Sequence, residues 1–244
     1  MSDDLETLNC SEHGEAYTTY VCEHLVKDPI QRWHAAPPSD ENPWPDAWCS
    51  QCNLEFLKEG EWNENNEIAI RILCHRCYET AQARSVDRLT GEAAEAWSAL
   101  IDESTDALTS KQQSLEEKFE IGKHKRWDWD QEKAELIFSN DGIPAVRCDI
   151  AFIGSVSNIS QTWLWAWANF SLTDAVSAPM DKVREFGEAH DFPRLTVALW
   201  PAEEVDGWEM SAIATNVIEA KGVYRAPSEN GFTFLAILDA RWVA

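Results

Sequence analysis

Cys49-Ser50-Gln51-Cys52 and, after 21 further residues, Cys74-His75-Arg76-Cys77 bound the stretch on which the fold of this 244-residue chain turns. Two residues between cysteines let the backbone double back, so that both sulfurs reach one metal at ~2.3 Å, and two such turns facing each other complete a tetrahedron. The spacing therefore predicts that this part of the chain binds metal. Upstream lie two further short pairs, Cys10-x2-His13 and Cys22-x-His24. The four pairs use six of the seven cysteines and supply eight soft or borderline ligands, enough to close two tetrahedral sites. Zinc is the expected ion, with two structural sites per chain. The simplest grouping is sequential: Cys10, His13, Cys22 and His24 share one zinc, and Cys49, Cys52, Cys74 and Cys77 the other. A cross-brace, with Cys10/His13 joined to Cys49/Cys52, uses the same residues. His75 is expected to point outward, and Cys148 reads as a buried thiol in a strand.

A catalytic zinc keeps an open position and a nearby base. Here the ligands suffice to close both sites, and the chain has neither HExxH nor the HxE and PCxxC pair of zinc deaminases. The metals read as structural, and no catalytic residue is assigned. GxGxxG, Walker and GxSxG patterns are also missing. Asp128, Asp130, Asp149, Glu203, Glu204, Asp206 and His190 are the acids and bases of the C-terminal region, and a solvated face accounts for them in so acidic a chain.

Working outward, the ligands occupy residues 1–79, a zinc-binding module whose proline-rich middle (Pro37, Pro38, Pro43, Pro45) reads as a loop held by metal at both ends. Residues 80–126 read as a helical connector, with Ala93, Trp97, Leu100, Ile101, Leu108, Leu115 and Phe119 at helical spacing. Residues 127–244 read as a tryptophan-rich α+β domain. Strands are expected over 134–138, 146–156 and 162–169, with a turn at Asn140-Asp141-Gly142. Helices are expected over 179–190 and 208–220, the second ended by Gly222, before a final hairpin. Strands and helices mix without a βαβ repeat, so the class is α+β, with an antiparallel sheet and two helices beside the small metal module.

Formal charge is −23, from 43 acidic and 20 basic residues. Residues 1–80 carry 16 acids against 5 bases, so the acidity is not confined to a tail. A field of this sign repels phosphate backbones and counts against nucleic acid as a partner. It suits a basic protein. The chain shows no basic segment followed by an apolar run and no stretch near the ~20 apolar residues that cross a bilayer, so no membrane partner is expected. Paired cysteines in such a chain indicate metal rather than disulfides, and the cytoplasm is the expected location.

Thirteen tryptophans stand out, three of them in Thr162-Trp163-Leu164-Trp165-Ala166-Trp167-Ala168-Asn169. On a strand, Trp163, Trp165 and Trp167 share one face, either as core or as a platform that binds a cofactor or small ligand. This TWLWAWAN run resembles a bacterial family of domains of unknown function. Trp127-Asp128-Trp129-Asp130, Gly154-Ser155, Gly207-Trp208-Glu209-Met210 and Gly222-x-Tyr224-Arg225-x-Pro227 match it too, over about 127–244. The N-terminal region is similar to a zinc-knuckle pattern of uncharacterised bacterial proteins, CxxHG, VCxHL, PDAWCxxC and LCxxCY. The resemblance implies a bacterial, cytoplasmic protein and supports Cys10/His13 and Cys22/His24 as ligand units. It carries no activity to transfer.

Two functions of different kind follow. The first is a non-catalytic interaction protein, of immunity or antitoxin type, with a basic protein partner. The second is a small-ligand sensor or enzyme whose pocket is lined by the Trp163/Trp165/Trp167 face.

Overall fold

The computed structural model describes residues 6–28, 30–63 and 66–243. The chain divides into two compact units, residues 1–89 and 90–244.

The first unit opens with a hairpin, β1 (Thr7–Cys10) and β2 (Gly14–Cys22), followed by the short helix α1 (Glu23–Lys27). Two-residue strands β3 (His34–Ala35) and β4 (Ala47–Trp48) close off the proline-rich loop, and α2 (Ser50–Glu59) leaves β4 directly. The strand β5 (Ile70–Cys74) runs straight into α3 (His75–Arg84). The central strand is β2, which pairs parallel to β4 through Val21 and Ala47 and antiparallel to β5 from Thr18↔Cys74 to Cys22↔Ile70. The proline-rich loop is docked as well as closed: the buried Tyr78 hydroxyl donates to the Pro45 carbonyl at 2.7 Å, and the Trp44 indole donates to Glu79 at 2.9 Å.

The second unit begins with the long helix α4 (Glu92–Phe119), then the strands β6 (Arg126–Asp130), β7 (Glu135–Asn140), β8 (Ile143–Ser157) and β9 (Thr162–Trp165). Short helices α5 (Asp174–Ser177), α6 (Asp181–His190) and α7 (Pro193–Thr196) lead to β10 (Leu199–Pro201) and α8 (Glu204–Val217). The chain finishes on the hairpin β11 (Gly222–Ser228) and β12 (Gly231–Trp242). All pairings in this sheet are antiparallel. The long strand β8 is its spine: β12 runs along one edge, while β7 and then β9 share the other. Asp141 and Gly142, both at positive φ, make the tight β7–β8 turn that Asn140-Asp141-Gly142 predicts.

The fold is α+β, as expected, with three departures. The helix over 92–119 is no separate connector. It belongs to the second unit, where it packs on α8 and reaches β11, so one boundary at 89/90 replaces those at 79/80 and 126/127. Helix α8 spans 204–217 and is covered by the sheet on one side and α4 on the other, which buries its residues from Met210 to Thr215 without interruption. A stretch covered on both sides is buried on every face, and the helix ends at Val217, with Glu219 in the left-handed region, while Gly222 opens β11.

The tryptophan run departs most. It is a strand only as far as Trp165, and residues 166–168 form a 3-10 turn. Continuing the antiparallel pairing with Leu199–Pro201 beyond Trp165 requires residue 197 and its predecessors. The Trp165 N–H still reaches the Ala198 carbonyl at 3.1 Å, but just upstream the chain is wound into α7, so the β9–β10 ladder goes no further.

Candidate metal centres

Strand direction explains where the eight ligands go. Parallel strands bring like ends together, so the C-terminal end of β2 meets the residues that follow β4: Cys22 and His24 face Cys49 and Cys52. Antiparallel strands bring opposite ends together, so the C-terminal end of β5 meets the residues that precede β2: Cys74 and Cys77 face Cys10 and His13. The result is two clusters, Cys10/His13/Cys74/Cys77 and Cys22/His24/Cys49/Cys52, each with its ligand atoms within 4.8 Å of one another. The pairs are nested, first with fourth and second with third. This is neither the sequential grouping nor the cross-brace, and Cys49/Cys52 do not join Cys74/Cys77.

Local geometry aims the ligands. Cys22, Cys49 and Cys74 each take an extended backbone as the N-cap of α1, α2 and α3. The second ligand of each pair then falls in the first helical turn, so both donors stand at a helix N-terminus, where unpaired N–H groups and the helix dipole favour a thiolate. The Cys74 sulfur accepts from the Cys77 N–H at 3.4 Å, and the Cys22 sulfur from the Cys49 N–H at 3.3 Å. The Cys10/His13 pair sits instead on the β1–β2 turn, closed by Gly14 at φ +69°.

Three sulfurs and one imidazole nitrogen held tetrahedrally at ordinary bond lengths stand roughly 3.6–3.8 Å apart. In the first cluster His13 Nδ1 lies 3.7, 3.3 and 3.5 Å from the sulfurs of Cys10, Cys74 and Cys77, and Cys10 and Cys77 are 4.0 Å apart. In the second, His24 Nδ1 lies 3.2 Å from Cys52 Sγ and 3.7 Å from Cys49 Sγ. Both donor sets fit a metal ion. Burial, then the neighbouring Cys22, hold the Cys52 thiol up at about 12, and burial with hydrogen bonds to Cys74 and Cys10 holds Cys77 up at about 12. Backbone hydrogen bonds from Glu12 and His13 draw Cys10 down to about 6. Packing several thiolates together costs free energy that a divalent cation offsets.

The other candidate residues are engaged elsewhere. His75 lies outside the cluster, where its Nδ1 accepts from the Tyr17 N–H at 3.1 Å and its ring packs on Trp44. Trp163 and Trp165 are fully buried, T-shaped at 5.1 Å, with the Trp165 indole donating to the Arg194 carbonyl. Gly154 permits this packing: a Cβ there would run into the Trp163 ring and lie 2.6 Å from the Leu164 carbonyl. Trp167, carried off the strand by the 3-10 turn, lies beneath the Arg184 guanidinium at 5.4 Å. The face of three aligned indoles therefore does not form. Asp128 pairs with Arg126, Asp130 with Lys133, Asp149 with Arg241 and Asp206 with Arg194. Glu204 pairs with Arg225, Glu203 caps α8 in a capping box, and His190 Nδ1 donates to the Phe186 carbonyl. Cys148 is buried in β8, its thiol pushed up to about 12 by burial. Sequence reading missed the helices that start at the ligands. Their signal was present in the polar, proline-free run from Ser50 to Glu59.

Among the described residues no helix is long and apolar enough to cross a membrane. A family described only as being of unknown function, DUF6882, matches residues 98–240, beginning inside α4 rather than at residue 127. No curated protein and no solved structure matches the chain.

Proposed function

This chain belongs to the DUF6882 family of unknown function, and from that premise we propose that it is a zinc-bound, non-catalytic interaction protein of the bacterial cytoplasm that engages a basic protein partner. The observation that carries the reading is the closure of both clusters. Each assembles three thiols and an imidazole from two separate pairs, which leaves no position for a substrate. That donor set favours zinc over harder cations. Ions at both ends of β2 would clamp the β1–β2 turn to α3 and the start of α1 to α2, so metal would organise a surface rather than perform chemistry.

The partner follows from charge. A chain at −23 attracts basic surfaces and accelerates their association. An immunity-type role, neutralising a basic toxin that acts on nucleic acid, is one concrete form. Elemental analysis should find about two zinc ions per chain, and proteins captured by the tagged full chain should be basic and released by raised salt. Capture that is indifferent to salt, or of acidic proteins, would remove the partner reading.

A further inference from the structure

A concavity of about 480 Å³ opens in the first unit beside β2 and β4. Tyr20, Trp48 and Trp62 supply aromatic walls, Asp46 and Glu67 supply carboxylates, and no Lys or Arg lines it among the described residues. The two indoles stand 5.4 Å apart at 86°, so the lining presents ring surface in two nearly perpendicular directions. Trp48 is pinned, its ring N–H donating to Asn53 at 2.9 Å, and Phe56 backs both indoles at 5.1 and 5.3 Å. Ile68 and Ile70 complete the lining, and Ile70 is 59% exposed.

This combination selects for one kind of ligand. Aromatic faces attract a cation through the ring quadrupole, carboxylates neutralise it, and exposed aliphatic surface covers an apolar stem. An anion meets two carboxylates, and an uncharged apolar group leaves them without a partner. We propose that the Trp48/Trp62 pocket receives a lysine or arginine side chain of a basic polypeptide, with the stem against Ile68 and Ile70 and the charged head beside the indole pair, towards Asp46 and Glu67. This rests on the basic-partner reading and supplies its point of contact. The excess of acidic residues over the first 80 positions, 16 against 5, gives the occupant its sign.

The test uses the full zinc-loaded chain and a capped five-residue peptide with one central lysine among alanines, beside the same peptide with that lysine acetylated. The indole N–H resonances of Trp48 and Trp62 should shift with the first peptide and stay put with the second. Trp62→Ala and the gentler Glu67→Gln should each weaken binding about three- to tenfold, with metal content unchanged. Glu132→Gln, an exposed carboxylate of the other unit, should leave binding unchanged. Equal binding of the acetylated peptide, or Trp62→Ala and Glu67→Gln behaving as Glu132→Gln does, would overturn the pocket. Salt-sensitive capture of basic proteins that persists in those two variants would overturn the pocket while leaving the partner reading intact. Loss of such capture from the unaltered chain would remove the partner reading itself.

Discussion

In the first unit, the central cluster of buried residues consists of Val21, Leu25, Ala47, Tyr78 and three cysteines, Cys22, Cys49 and Cys52. The largest sealed side chains of the second unit are Trp163, Trp165, Trp200, Phe138 and Phe234, packed around an antiparallel sheet and a helix covered on two sides. The contrast is one of means. The first unit sets cysteines among its apolar and aromatic side chains, at the positions of the two clusters that could hold metal, and metal binding in a small module is also folding free energy. The second unit contains one cysteine, Cys148, and depends on burial and on close fits such as Trp163 over Gly154.

Metal removal should separate the units most sharply. A structural zinc contributes roughly 10–16 kcal/mol of apparent binding free energy that is also folding free energy. Excess chelator should therefore abolish amide protection in β2 and β5 and leave β8 and β12 protected, as read by hydrogen exchange. Protection retained in β2 would break the comparison. On the other side of it, Trp165→Ala removes a fully buried indole and should cost the second unit about 3–5 kcal/mol, lowering its denaturant midpoint without altering metal content. Loss of metal in that variant would mean that the two means of stabilisation are not separate.

A smaller effect sharpens the account of α4. Gln112 donates to the Val223 carbonyl at 2.9 Å and accepts from the Val223 N–H at 2.8 Å, so its amide imitates a paired strand beside β11. Each such hydrogen bond contributes about 0.5–1.5 kcal/mol, and Gln112→Ala should cost the second unit about 1–3 kcal/mol with faster exchange at Val223. An unchanged midpoint and exchange rate would return the helix to the role of a spacer.

What could be read from sequence follows the distance over which each feature is determined. The eight residues that gather into the two clusters were legible because short spacings such as Cys49-x2-Cys52 mark them locally. Their grouping was not, because it depends on β4 running parallel to β2 and β5 running against it, which no local spacing records. Asn140-Asp141-Gly142 announced its turn from three residues. The alternation after Thr162 announced a strand but could not announce its end, which is set by a partner more than thirty residues away. The helix expected over 208–220 was legible but its burial from both sides was not, because the second layer over α8 comes from a segment that reads as a connector when taken alone.

The nested grouping is the central claim, and proton–cadmium correlation spectroscopy on the chain loaded with cadmium-113 tests it most directly. Two cadmium resonances are predicted, one correlated with Cys10, His13, Cys74 and Cys77 and the other with Cys22, His24, Cys49 and Cys52. A resonance correlated with Cys49, Cys52, Cys74 and Cys77 together would contradict it.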